Sequence, residues 1–259
     1  MYRTIEEYIL NIGRDLSGVD LSGVYIKNVN LKDIILPNDK NLFQKIKDKC
    51  VEGVSLPENN YENYNFDGVS LIGTKFTRNS LIPKDKDLFQ KIKNKDLYET
   101  VLPIIDMNNY IFEDVKLMKI EFQDGTIISK DKNVFQNIYN KSLYGAKMPL
   151  GDYKEINFNG VTLTECIFTE DSMLPETYDF FQSVANKSMV GCALTKNVLD
   201  NILMYDLNSV QIDFNIYKIN IIKMLQLYIR YKENRDMLFP EEDIFNRYKE
   251  EITIQTCRK

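Results

Sequence analysis

The sequence predicts a mainly β chain with some α-helix, coiled as a solenoid, with short helices inserted at intervals and helical ends. Apolar residues recur at every fifth position, and a series of seven such positions restarts twice, 46 residues later each time. A period of five fits neither a helical turn nor a flat strand, so the chain has to turn about once per pentad. The three series are Val51, Leu56, Tyr61, Phe66, Leu71, Phe76, Leu81; Leu97, Leu102, Met107, Phe112, Leu117, Phe122, Ile127; and Leu143, Met148, Tyr153, Phe158, Leu163, Phe168, Met173.

The pentads are plainest near the N-terminus, where blocks begin at Asp15, Asp20, Tyr25 and Asn30. Each block has a polar residue, a large apolar residue, two residues rich in Ser, Gly, Asn, Asp or Lys, and a second apolar residue. In this pattern the sequence resembles the pentapeptide-repeat family over roughly residues 15 to 204. The resemblance implies a right-handed, four-sided β-helix in which the central Leu or Phe and the residue two before it point inward.

The residue two before the centre is often larger than the alanine that the family prefers. This departure predicts a cross-section that is wider or locally distorted. The larger residues are Val19, Val29, Val54, Val69, Val115, Val161, Tyr64 and Tyr110, whereas Ala146, Cys166 and Cys192 fit the small position.

A second repeated segment interrupts the pentads. It reads Asp-Lys-Asn-Leu-Phe-Gln-Lys-Ile from Asp39, recurs with small changes from Asp85 and Asp131, and is more divergent from Thr177. Phe43 and Ile46 are three residues apart and would share one helical face. We expect helices of two to three turns near residues 40–48, 86–94, 132–140 and 178–186. Seven pentads and one helix would complete two coils, so a 46-residue super-repeat would place a short helix on one side at every second coil.

The two ends read differently from the repeats. Residues 1–14 predict an N-terminal capping helix with Ile5, Tyr8, Ile9 and Ile12 on its apolar face. Residues 15–205 are the repeat region. Residues 206–259 predict a helical C-terminal cap or dimerisation segment, with a long helix from about residue 214 to 237 and a shorter one near 241–251. Self-capping, a homodimer interface and contact with another protein are all open for this segment.

Composition narrows the function. Histidine is absent, which excludes Ser-His-Asp and Cys-His catalysis and histidine-ligated metal sites. The four cysteines contain no C-x-x-C pair, so the sequence shows neither a zinc site nor a dithiol motif. From the missing histidines and the cysteine spacing together, we expect no enzyme activity, metal site or cofactor. Net charge is −5, and residues 1–213 carry 24 basic against 31 acidic residues, which argues against direct nucleic-acid binding. Without a signal peptide or long apolar segment, we expect a cytoplasmic bacterial protein that does not contact membranes.

One polar ladder is a candidate interaction surface. Each inserted segment carries a glutamine and a lysine at equivalent positions, and the apolar surface of the predicted C-terminal helix adds three candidates. The glutamines could bind the backbone of a neighbouring coil, or they could form a polar strip for an extended partner. The candidates are Gln44, Gln90, Gln136, Gln182, Lys49, Lys95, Lys141, Lys187, Tyr217, Ile221 and Tyr228.

The expected function is a noncatalytic solenoid scaffold that binds a protein partner, with a homodimer through the C-terminal helix as a further possibility. The alternative comes from the family resemblance, which implies that a solenoid of this kind can mimic DNA and bind a type II topoisomerase, inhibiting or protecting gyrase. The helical insertions and the modest negative charge weaken that alternative. An effector enzyme is disfavoured because the 45 or so C-terminal residues are too few for a catalytic domain.

Overall fold

The computed structural model describes residues 3–169, 171–175, 184, 188–189 and 211–212 of the 259-residue chain. Three α-helices lie in this part: α1 (Ile5–Ile12), α2 (Leu42–Lys45) and α3 (Leu88–Lys91). Short 3-10 helices occupy Lys47–Lys49, Lys93–Lys95, Met107–Asn109 and Tyr139–Lys141. The strands are β1 (Lys147–Met148), β2 (Ile167–Phe168), β3 (Ser188–Met189) and β4 (Gln211–Ile212).

Helix α1 has strong local signals at both ends. Thr4 forms a capping box with Glu7, so both residues satisfy backbone N–H groups that the first helical turn leaves without partners. Gly13 ends the helix at φ 104°, a conformation that glycine adopts without strain. The Ile5 N–H donates to the Tyr25 carbonyl at 3.1 Å, which ties the helix to the repeat region. Ile5 and Tyr8 are buried, but the predicted apolar face is incomplete because Ile12 is exposed.

The repeat region is held together by parallel backbone pairing between distant residues. Each bridge joins residues 20, 21, 25 or 26 apart, as in the continuous column Ser55, Lys75, Val101, Glu121 and Lys147. We call each segment between two partners in such a column a tier. Strand β1 pairs with β2 in parallel, continuing this column to Ile167, and β3 pairs with β4 in parallel.

The fold class predicted from the sequence is wrong. Among the described residues, the named strands have only two residues each, each sheet has two strands, and no sheet closes around the chain. The right-handed, four-sided β-helix and its 46-residue super-repeat with a helix at every second coil are therefore not supported. The physical reason is that a pentad leaves only one or two residues extended before a left-handed residue turns the chain, as Glu99 does at φ 57°. One extended residue makes an isolated bridge and cannot make a strand.

The predicted helices of two to three turns are also wrong. Helices α2 and α3 are single turns that end at Ile46 and Ile92, whose ψ of 159° is extended backbone. The extended residue buries its own side chain, and it lets the Lys47 N–H reach the Val24 carbonyl at 3.0 Å. The third segment contains only the 3-10 helix Tyr139–Lys141. Apart from Val184, the segment near 178–186 lies outside the described residues, as does the C-terminal region 206–259 apart from β4.

The pentad pattern does identify most of the core. The first six members of all three apolar series are buried, as are Val54, Val69, Val115, Val161, Tyr64, Tyr110, Ala146 and Cys166 at the position two before the centre. Each of the three described inserted segments adds one fully buried phenylalanine that contacts an aromatic ring of the next tier. The ring centroids are 5.1 Å apart for Phe43 and Phe66, 5.4 Å for Phe89 and Phe112, and 5.8 Å for Phe135 and Phe158.

For the seventh member of each apolar series, the predicted inward position is wrong. Leu81, Ile127 and Met173 are exposed, and the residue after each of them, Ile82, Ile128 and Leu174, faces the core instead. The bridges explain the shift, because Asn60 and Leu81 are 21 residues apart, whereas Ser55 and Lys75, on the same two tiers, are 20 apart. One additional residue on this side moves the inward position forward by one.

We predict that Phe89→Ala lowers the free energy of unfolding by about 3 to 5 kcal/mol, because a fully buried ring is replaced by a cavity. Urea unfolding followed by circular dichroism measures the change. Lys86→Ala, in the same segment but exposed, is the matched control and should change stability by less than about 0.5 kcal/mol. Equal stability of the two variants would contradict the burial of Phe89.

Candidate interaction surface

The described glutamines of the polar ladder bind backbone. The Gln44 Nε2 donates to the carbonyls of Asn65 at 3.1 Å and Asp67 at 3.0 Å. Gln90 donates in the same way to Ile111 and Glu113, and Gln136 to Asn157 and Asn159, all at 2.9 to 3.1 Å. Both acceptors lie 21 and 23 residues beyond the glutamine, on the following tier. Each amide therefore links two tiers, which is the structural role among the two that the sequence left open.

The described lysines of the ladder occupy strained backbone positions. Lys49, Lys95 and Lys141 have φ of 48°, 48° and 47°, and each follows another residue with positive φ. Two successive left-handed residues return the chain from the inserted segment to the pentads. The Lys141 Nζ donates to the Gln136 Oε1 at 2.9 Å, and the Lys95 Nζ lies 4.0 Å from the Asp114 carboxylate. These lysines support the local turn, although the Lys49 Nζ forms no ion pair or hydrogen bond with the described residues.

The other members of the predicted surface cannot be placed. Gln182, Lys187, Tyr217, Ile221 and Tyr228 lie outside the described residues. The predicted homodimer through the C-terminal helix falls on the same undescribed region.

A different surface stands out from the exposure of its side chains. Five aliphatic residues recur at intervals of 23 residues on five consecutive tiers of the described chain. We call them the aliphatic strip. Its members and their exposed fractions are Leu81, 45%; Ile104, 37%; Ile127, 55%; Leu150, 46%; and Met173, 38%. Contiguous exposed apolar side chains of this kind mark interaction sites on soluble proteins.

Backbone and side-chain contacts bring the members together. The Ile104 N–H donates to the Arg78 carbonyl at 3.2 Å, which sets Ile104 directly against the tier that carries Leu81. On its other side, the Ile104 Cδ1 lies 3.2 Å from the place where a Cβ on Gly125 would be. Gly125 is two residues before Ile127. The absence of a side chain at Gly125 therefore lets Ile104 extend over the tier of Ile127.

Aspartates lie beside the strip, and their geometry has a structural cause. The Asp106 Oδ1 accepts from the Asn108 N–H at 2.9 Å, and the Asp152 Oδ1 accepts from the Lys154 N–H at 3.0 Å. Such bonds from a side chain to the backbone two residues on stabilise a turn, and asparagine can make them as well as aspartate. Asn60 does so at the equivalent place, through its bond with the Glu62 N–H at 2.9 Å. The turn therefore requires an acceptor oxygen at these positions, whereas it does not require the negative charge.

Asp124 is tied to the strip directly. Its Oδ1 accepts from the Leu150 N–H at 3.2 Å and from the Thr169 hydroxyl at 3.0 Å. Asp171 is exposed, two residues before Met173. Four carboxylates thus accompany five aliphatic side chains, and a cation also lies close to them, because the Arg78 Nη2 is 3.7 Å from the place where a Cβ on Gly125 would be.

Sequence reasoning missed this surface because three of its members belong to the apolar series, which predicts buried side chains. The available signal was the 23-residue interval, which joins those three to Ile104 and Leu150. The interval also includes Ile35, exposed to 57%, but Glu58 occupies the place between Ile35 and Leu81. The continuous strip therefore begins at Leu81.

Two polar grooves lie at equivalent places beside the inserted segments. One has a volume of about 290 Å³ and is lined by Ser17, Asp20 and Asp39 among others, and the second, of about 320 Å³, is lined by Asn108, Glu113 and Asp131 among others. Asp39 forms an ion pair with Lys45 at 2.6 Å, which holds the pKa of that carboxyl below its usual range. Over the described ranges, no group of three or more Cys, Asp or Glu is placed to hold a metal ion.

No helix in the described part of the chain is both long enough and apolar enough to cross a bilayer.

We predict that replacing Gln44, Gln90 and Gln136 together with alanine lowers the free energy of unfolding by about 3 kcal/mol. Each substitution removes two hydrogen bonds between tiers, worth about 1 kcal/mol per site after exchange with water. Urea unfolding measures the loss. Replacing the exposed Lys40, Lys86 and Lys132 with alanine is the matched control, with one substitution in each of the same three segments. Unchanged stability of the glutamine variant would contradict the linking role.

A scan against models of known protein families and a search of curated proteins found no match. Function therefore has to be inferred from the residues and contacts described above.

Proposed function

We propose that this chain is a noncatalytic protein that binds a partner protein, and that the aliphatic strip is its contact surface. The observation that carries the proposal is the exposure of five aliphatic side chains on adjacent tiers at a fixed interval of 23 residues. Isolated exposed apolar residues are normal on protein surfaces. A row of them on adjacent tiers is different, because contact of its apolar area with water is unfavourable unless another molecule covers it.

Packing within the chain does not require these side chains. At Leu81, Ile127 and Met173 the following residue fills the interior, so a polar residue at each of the three positions would leave the core intact. The same column of bridges shows this directly, because Asn60, which pairs with Leu81, and Asp106, which pairs with Ile127, are polar. Binding to another protein gives the strip a role that internal packing does not.

The ionisable groups support a noncatalytic role. Histidine is absent from the sequence. Among the described residues with a shifted pKa, Asp39 and Asp85 each accept a hydrogen bond from a lysine of their own inserted segment, which lowers the carboxyl pKa. Burial raises the pKa of the Tyr110 phenol to about 12, and its hydroxyl donates to the Pro83 carbonyl at 3.2 Å. These groups serve ion pairs and core packing rather than a shared reaction site.

The charge distribution supports the DNA-mimic alternative less well than it supports binding of a partner protein. The three inserted segments from Asp39, Asp85 and Asp131 carry ten lysines and five aspartates over eleven residues each. That side of the repeat region is therefore positive, whereas a mimic of duplex DNA needs extended negative charge. The resemblance to the pentapeptide-repeat family rests on the pentads alone and stays a proposal.

Site-specific photo-cross-linking in the native cell tests the proposed function. We expect a photoreactive phenylalanine analogue at Ile127 of the full-length chain to yield a discrete protein adduct, because the probe lies at the centre of the strip. The matched control places the same analogue at Tyr139, an exposed ring on the inserted 3-10 helix, which should give no such adduct. Equal adducts at both positions, or none at either, would count against the strip as the contact surface.

A further inference from the structure

We propose that the segment of the partner that lies on the aliphatic strip is an amphipathic α-helix with Lys or Arg beside its apolar face. This inference rests on the proposed function, because it names the kind of partner that the same surface would bind. The spacing of the strip points to a helix, and the carboxylates beside it point to basic residues.

The strip consists of two staggered columns. Leu81, Ile127 and Met173 form the first column, and they lie six residues after Lys75, Glu121 and Ile167 of the continuous bridge column. Ile104 and Leu150 form the second column, three residues after Val101 and Lys147. Neighbouring members of one column are two tiers apart, or about 9.6 Å, and the columns are offset by one tier of about 4.8 Å.

A helix matches this stagger. In an amphipathic helix, the two apolar positions of a heptad also form two columns, each repeating after seven residues, about 10.5 Å, with an offset of about half that distance. Over the length of the strip, the mismatch between the helix and the tiers stays at about 2 Å. A partner helix aligned along the direction of stacking would therefore place an apolar side chain beside each member of the strip.

An extended segment fits less well. Alternate side chains of a strand are about 6.8 Å apart, so contacts made one to one with tiers of about 4.8 Å would be out of register by about 2 Å at the second contact and by about 4 Å at the third.

The carboxylates beside the strip indicate which residues flank the apolar face of the partner helix. Asp106 and Asp152 each use one carboxylate oxygen for a turn, and the second oxygen accepts no hydrogen bond from the described residues. Asp124 and Asp171 are exposed beside the same five side chains. Complementary charges favour encounter with the correct partner and disfavour acidic ones. Basic residues flanking the apolar face of the helix would meet these carboxylates.

The test uses three synthetic peptides of about 21 residues, or three heptads. The first has leucine at both apolar heptad positions, lysine at the two flanking positions, and alanine or glutamine elsewhere. The second replaces the lysines with glutamates. The third keeps the composition of the first but contains two central prolines that prevent a helix. Fluorescence anisotropy measures the binding of each labelled peptide to the full-length protein.

We expect saturable binding of the lysine peptide, and binding at least about tenfold weaker for the glutamate and proline peptides. Ile127→Ser should weaken the lysine peptide by about tenfold, since it removes the central contact. The matched control is Ile35→Ser, which removes a side chain of equal exposure beyond the end of the continuous strip and should leave binding unchanged.

The charge contribution is tested with Asp106→Asn combined with Asp152→Asn. These substitutions keep the acceptor oxygen that the turn needs, as Asn60 shows, so folding should be preserved. We expect weaker binding of the lysine peptide and a smaller dependence on salt. Asp131→Asn is the matched control, because Asp131 makes the same kind of turn bond to the Asn133 N–H at 2.9 Å beside an inserted segment.

The outcomes separate the two proposals. An adduct at Ile127 together with no binding of the lysine peptide, or with equal binding of all three peptides, would overturn the basic helix and leave the contact surface standing. No adduct and no peptide binding would remove both. If sedimentation shows a dimer that Ile127→Ser converts to a monomer, a second copy of the chain covers the strip and the proposed partner helix is wrong.

Discussion

Parallel backbone pairing between residues 20 to 26 positions apart is the constraint on which the rest of the structure depends. The Val101 N–H donates to the Thr74 carbonyl, and the Val101 carbonyl accepts from the Phe76 N–H, both at 2.9 Å. Each tier therefore has to return in register with the one before it. A buried peptide group that loses its partner costs about 1 to 3 kcal/mol. Turns, inserted segments and side-chain positions all follow from that return.

Much of the interior could be predicted from the sequence, because the pentad pattern records which side chains are buried. Leu97, Phe112 and Phe89 were expected to lie inside and they do. The pattern does not record how many residues stay extended between turns, so it overestimated both strands and helices. Ile46 illustrates the limit, since it reads as the continuation of a helix, yet its extended backbone ends α2 and supplies the next pairing.

The candidate surface was harder to predict, for a related reason. Leu81 and Phe76 look alike in the sequence, since both continue a run of apolar residues at five-residue spacing. Their environments differ because one additional residue on every second tier changes which neighbour faces inward, and the pairing of Asn60 with Leu81 reveals it. The recurrence of Gln44 and its equivalents in the sequence is compatible with a polar binding strip. In the structure, their regular spacing matches the regular spacing of the backbone carbonyls that they bind.

The two-column arrangement of the strip limits how such a surface can change in length. Ile104 and Ile127 occupy different places in their tiers, and both places return only after 46 residues. Gain or loss of two tiers together would therefore lengthen or shorten the surface by one member of each column, about 9.6 Å, and keep every remaining contact in phase. Gain or loss of a single tier would instead place two members of one column next to each other. Reach along a bound partner can thus change only in fixed steps.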